Sequence, residues 1–403
     1  MKKFLKYTSY TLVIIFFTSF LISRAYKNNL SFANSFFSSN VLSKEIDKKE
    51  MKEVIETIYN KRCKVFVNED IESLTKFYDI SRNQGQWSLD QEVRRVKYLK
   101  TWAHQRNIDF TNIKSEVILK RVSSNKSNIR LGLKEIYTFE YVYKNEENPT
   151  KNKFGIGVDH TVSLINKNNN WIISSDWYTD CFQDALKAYS GEMNKVDLSK
   201  IESLDIPKLK KDMNIISSGK YDIKKAVEYA NKYSGAFIDD ENTDYKYNKK
   251  YKNYAGMGGD CTNYASQVLG DKEAGGIPTD YTWFPHSSKN EGTLVGSKSW
   301  VNADAFKNYI LYSGKGKLIK KGTFKELSLS TDKYINGAVE NLELGDLICY
   351  AKGGKTDHFA VVTGWDSRGY PLINSHTTDR YNVPWDLGWG DKDISFYLIH
   401  IRK

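Results

Sequence analysis

The chain has 403 residues, 40% hydrophobic and 14% aromatic, with 60 Lys+Arg against 49 Asp+Glu and a formal net charge of +11. That length and apolar content allow two packed cores. The positive residues are scattered, with no arginine-rich stripe or nucleic-acid motif, which argues against nucleic acid as a partner and for attraction to an anionic surface such as a bacterial wall or membrane.

The first 25 residues carry Lys2, Lys3 and Lys6, an apolar stretch from about Tyr10 to Ile22, then Ser23-Arg24-Ala25. This is the outline of an export signal cleaved after Ala25. An uncleaved membrane anchor is the rival, although the stretch is near the short limit of roughly 17 residues for a spanning helix. Either way the rest of the chain is expected outside the cytoplasm, secreted or membrane-anchored. Residues 26–43 are small and polar and read as a tether.

Residues 44–189 are expected to form an accessory domain. Ile46, Met51, Val54, Ile55 and Ile58 recur at helical spacing, as do Leu89, Val93, Val96, Trp102 and Ala103. A shorter helix is expected around Ile71, Leu74 and Phe77. The period then changes to two in Tyr137, Phe139, Tyr141 and Tyr143 and in Val158, His160, Val162 and Leu164, followed by Trp171-Ile172-Ile173. These are half-buried antiparallel strands. His160 falls on the apolar face and reads as a core histidine, and Trp171 and Trp177 read as core. Helices followed by a curved sheet, over about 44–185, resemble NTF2-like or cystatin-like α+β domains, a likeness of pattern that carries no catalytic residues. Residues 190–219, with alternating Lys and Asp, Pro207 and Ser217-Ser218-Gly219, read as a linker.

The second domain, 220–403, opens with Asp222 as a helix cap before Ile223, Ala226, Val227 and Ala230. The segment Gly258-Gly259-Asp260-Cys261-Thr262-Asn263-Tyr264 then places a cysteine at the first turn of a helix. A helix N-terminus favours the thiolate, and its free N–H groups can receive the oxyanion formed when sulfur attacks an amide carbonyl. The general base is expected at His358, the entrance of the strand Asp357-His358-Phe359-Ala360-Val361. It shares a face with Ala360 and Val362, from which it could point across a crevice to the cysteine helix. Asn374, in Pro371-Leu372-Ile373-Asn374-Ser375-His376, is the preferred third group to orient the imidazole, with His376 as the second choice. Tyr254, Asp260 and Asn263 are candidates for supporting the oxyanion. Asp260 is better suited to capping the helix, because a carboxylate beside a thiolate raises the thiol pKa.

These pieces, GGDCTNYASQ, EAGG, LGDLICYA, HFAVVTG and INSHTTD in this order, resemble the bacterial amidase domain family related to the NlpC/P60 and CHAP clan of papain-fold hydrolases. The likeness covers about 180 residues and implies a papain-like α+β fold and a cysteine hydrolase of amide bonds, often those of cell-wall peptides. It also implies a Cys-His-polar order, which falls on Cys261, His358 and Asn374. Papain has a glutamine six residues before its cysteine, where this chain has Ala255.

Four cysteines, Cys63, Cys181, Cys261 and Cys349, include no CxxC pair and no zinc-like Cys/His cluster, so no metal is expected. With Cys261 free, one disulfide at most could form among the other three. No cofactor is called for. The expected whole is an exported cysteine amidase or peptidase acting through a thioester. Two rivals stand beside it: a catalytically degenerate papain fold that binds wall peptides or glycans, and an interaction protein acting through its first domain.

Overall fold

The computed structural model describes residues 47–125, 128–211, 219–236, 247–288, 292–390 and 393–402. The expected export segment and tether, and Ser217-Ser218 of the linker, lie outside the described residues. Lys48–Lys403 form one compact unit of mixed α and β structure built on a large antiparallel sheet.

The N-terminal half follows its hydrophobic periods. Helices α1 (Lys48–Asn68) and α2 (Asn83–Gln105) each bury one stripe, Met51, Ile55, Ile58 and Tyr59 in the first and Leu89, Val93, Val96 and Trp102 in the second. Ile71–Phe77 between them is a 3-10 helix. Strands β1 (Ile108–Asn125), β2 (Asn128–Tyr143), β3 (Asn152–Lys167) and β4 (Asn170–Tyr178) pair in sequence as antiparallel neighbours. Trp177 is 71% exposed rather than in the core. The cause is a bulge at Ser174, where the register jumps from Ser163↔Ser175 to Leu164↔Ile173, so that the alternation reverses after Ile173 and Trp177 turns outward. A short helix, α3 (Gln183–Leu186), follows.

The C-terminal half opens with α4 (Ile223–Lys232), whose cap is the expected Asp222, accepting from the Lys225 N–H at 3.1 Å. Helix α5 (Cys261–Gly270) is followed by the hairpin β5 (Pro285–Ser287) and β6 (Leu294–Gly296), and by α6 (Lys298–Val301) and α7 (Ala303–Tyr312). Then come β7 (Gly316–Gly322), α8 (Phe324–Ser328), β8 (Leu347–Lys352), β9 (Lys355–Trp365), β10 (Pro371–Ser375), β11 (Asp379–Pro384) and β12 (Ile394–Ile401). Tyr264, Ala265, Val268 and Leu269 of α5 pack on Leu347, Cys349, Phe359, Val361, Ile399 and Ile401, so the helices cover one face of this half of the sheet.

The two regions expected as separate domains are joined edge to edge. The strand order is β1-β2-β3-β11-β10-β9-β8-β12-β7, with β4 branching from β3. At the seam Asp379, Arg380 and Tyr381 of β11 pair with Gly157, Ile156 and Gly155 of β3. Among the described residues no helix is long and apolar enough to cross a membrane.

Candidate functional site

Gly258 and Gly259 have φ of 106° and 124°, which L side chains rarely adopt, and they turn the chain into α5. A Cβ on Gly259 would meet the Thr377 hydroxyl at 3.0 Å. This close approach puts Thr377 over the helix start. Its Oγ1 accepts from the Asp260 N–H at 2.8 Å and from the Cys261 N–H at 3.2 Å. Thr377 itself holds φ 84°, an unusual conformation for a β-branched residue and a store of local strain.

Cys261 occupies the first turn of α5, as expected, and is buried. Its sulfur lies 3.8 Å from Thr262 Oγ1 and is also approached by the Phe359 N–H and the Thr377 hydroxyl. The Phe359 N–H is available because the β9–β10 ladder begins only at Val361↔Asn374. Burial pushes the thiol above its ordinary range; these three donors oppose the rise and the Asp260 charge adds to it.

His358 does not turn toward the cysteine helix as its alternation suggested. Cys349↔Phe359 and Tyr350↔His358 are register pairs, and it is Phe359 and Val361 that pack beneath α5. The imidazole lies on the other face, 5.6 Å from the Tyr350 ring and 5.8 Å from that of Trp389. Arg380 Nη1 donates to its Nε2 at 2.7 Å, so the neutral ring carries its proton on Nδ1. Burial holds His358 well below the usual imidazole range, with the charges of Arg380 and His376 acting in the same direction. Among the described residues no hydrogen bond links the Cys261 sulfur to this ring. The N–H next in chain after His358, that of Phe359, is the part of this strand that favours the thiolate.

The third-group assignments also change. Asn374 is fully buried, but its Oδ1 accepts from Thr363 Oγ1 at 2.9 Å and from the Asn382 N–H at 2.7 Å, and its Nδ2 donates to Asn231 Oδ1 at 2.9 Å. An amide so occupied ties strands together and does not orient His358. His376 faces Asp260 Oδ2 at 2.7 Å through Nδ1 and the Tyr233 carbonyl at 2.6 Å through Nε2, and stacks on Tyr264 at 4.0 Å. Asp260 does not cap α5: its Oδ1 accepts from the Tyr254 N–H and from Asn263 Nδ2, both at 2.9 Å. Asn263 Oδ1 in turn accepts from Trp300 Nε1 at 3.1 Å, and the Tyr254 hydroxyl accepts from the Gly296 N–H at 3.3 Å. Asp260, His376, Asn263 and Tyr254 therefore brace the turn that presents Cys261. Sequence reasoning missed Thr377 and Arg380, although both belong to or follow the Ser375-His376-Thr377-Thr378-Asp379 run.

His358, Thr377, Arg380 and Trp389 line a cavity of about 310 Å³ together with residues of the N-terminal half, including Asp180 and Cys181. All four cysteines are buried and unbonded, and no cluster of metal-ligating side chains occurs among the described residues.

With this geometry in hand, residues 220–399 match the model of a family described as "putative amidase domain". The uncharacterized protein YjcM of Bacillus subtilis (strain 168) is 28% identical over 249 residues, covering 57% of this chain and 50% of the relative. The chain thus spans about half the length of that curated relative. A solved structure, the intermembrane space region of chloroplast protein ARC6, covers 33% of this chain and 97% of its own at 10% identity, but its TM-score of 0.21 carries no argument. What the comparisons support is an amidase-like domain over the C-terminal half.

Proposed function

We propose that the chain is an exported cysteine hydrolase of amide bonds, with Cys261 as nucleophile and His358 as base, acting on the peptide part of peptidoglycan. One observation carries the reading: a cysteine sulfur at the first turn of a buried helix, 3.8 Å from the Thr262 hydroxyl. The amidase-like match over residues 220–399 supports the bond type.

Turnover needs two displacements from the resting arrangement. The substrate carbonyl oxygen replaces the Thr377 hydroxyl on the Asp260 and Cys261 N–H groups, which then stabilise the oxyanion. Arg380 leaves His358 Nε2, whose lone pair can then take the thiol proton as the ring turns toward the sulfur. The thiolate adds to the amide carbon, the C–N bond breaks, and the imidazolium returns its proton to the departing amine. Water then cleaves the thioester, giving the acid and the free thiol. Export rests on the first 25 residues, and attraction to an anionic wall or membrane surface on the net charge, +11 for the whole chain and +7 once the four charges of Lys2, Lys3, Lys6 and Arg24 are removed with that segment.

The test incubates the full chain and Cys261→Ser with purified wall peptides and follows new amines by mass spectrometry. Turnover lost in Cys261→Ser supports the nucleophile; turnover that survives removes it. Intact peptides together with electrophile labelling at Cys261 overturn the substrate and spare the chemistry. A second reading, a papain-like module that binds wall peptides without cutting them, is favoured by the Arg380 hydrogen bond that occupies the base. Alkylation of Cys261 that is indifferent to His358→Ala would support that module.

A further inference from the structure

Four arginines are buried among the described residues: Arg62, Arg95, Arg106 and Arg380. Three have carboxylate partners, Glu135 for Arg62, Asp180 for Arg95 and Asp386 for Arg106. Arg380, only 4% exposed, pairs with no carboxylate among the described residues. Its Nη1 is shared between His358 Nε2 at 2.7 Å and Ser375 Oγ at 3.1 Å, the guanidinium also approaches the neutral Cys181 thiol, and its Nε has no partner. A guanidinium out of water without a counter-ion is strongly disfavoured, and a planar donor fork matches a carboxylate.

The acids near it are already engaged. Asp180 is held by Arg95, and Asp184 by Lys187 and Lys352. Asp357 also lines the cavity, but its side chain is exposed to solvent. Trp389 closes the other side, with the guanidinium 5.7 Å from its ring.

We infer that Arg380 is the anchor for a carboxylate group of the substrate, entering the cavity between the two halves, and that binding it draws the guanidinium off His358 Nε2. The substrate class is then an amide that also bears a free carboxylate. The second part rests on the proposed role of His358 as base; the first does not.

The test uses the full chain with ¹⁵N-labelled histidine and three probes: acetate, acetamide and inorganic phosphate. Acetate should move the His358 Nε2 resonance toward that of an unbonded imidazole nitrogen, whereas acetamide should not. Arg380→Gln should weaken acetate binding by about tenfold or more, and Arg380→Lys should retain part of it. Circular dichroism checks the fold of each variant, and if Arg380→Gln unfolds, Arg380→Lys and the contrast between acetate and acetamide decide. Equal responses to those two probes, or an acetate response unchanged in Arg380→Gln, overturn the assignment. Phosphate binding without acetate binding overturns the carboxylate. Acetate binding in a chain that cuts no amide leaves this site standing and sinks the hydrolase reading; turnover without acetate binding does the reverse.

Discussion

At Cys261 and His358 the same force acts in opposite directions on two titrations. Burial raises the thiol and lowers the imidazole, so each is driven to its uncharged form. The resting pair is therefore thiol and neutral imidazole, unlike a preformed thiolate–imidazolium pair. Alkylation of Cys261 by iodoacetamide should accordingly keep rising with pH beyond the ordinary thiol pKa of about 8.5. A rate plateau established below about pH 7 would instead reveal a standing ion pair. The position of Cys261 was legible in the sequence because glycines followed by a helical apolar pattern specify a turn into a helix. The role of Arg380 was not, since no local pattern marks which arginine lacks a carboxylate.

Strand alternation explains both the success at His160 and the failure at His358. His160 is buried on the inward face of β3, as its alternation predicts, and there its Nδ1 lies 2.8 Å from Asp176 while its Nε2 lies 3.2 Å from Glu135. Burial alone would lower it, but these two acids outweigh that effect and raise it to about 9. Glu135 is driven the opposite way, to about 2, burial being overcome by Arg62 and His160. A raised histidine stabilises the fold fully below its unfolded pKa of about 6.5. That contribution should decline as pH rises from there through about 9. His160→Leu should lower unfolding free energy by about 3 kcal/mol or more near pH 6, because it leaves buried acids without a partner. Urea denaturation read at several pH values checks both points, and stability that stays flat from pH 6 to 9 in the unsubstituted chain would remove His160 from the account. For His358 the alternation was read correctly, but a sequence does not say which face of a strand its helix covers. At Trp177 a bulge reversed the alternation outright.

The seam between β3 and β11 joins segments whose sequences bear no sign of one another, and for that reason the linker composition of 190–219 suggested independence. The structure instead stitches the halves with buried polar groups as well as backbone pairing. Lys134 of β2 donates to Asp379 Oδ2 at 2.5 Å and to the Gly235 carbonyl at 2.6 Å, while the Tyr247 hydroxyl donates to the same carboxylate at 2.6 Å. Gly157, opposite Asp379, is tightly enclosed, since a Cβ there would meet Lys134 Cε at 2.9 Å and Asp379 Cβ at 3.1 Å and would press on the ion pair. Removing the carboxylate leaves a buried ammonium without its counter-ion, at a cost of about 3–5 kcal/mol. If the shared sheet makes one cooperative unit, Asp379→Ala should reduce hydrogen-exchange protection in β2 and in β8 by the same free energy. Loss confined to one of these strands would mean that the halves unfold separately, and the cavity that holds His358 and Arg380 would then be a junction between two independent bodies, free to open without unfolding either.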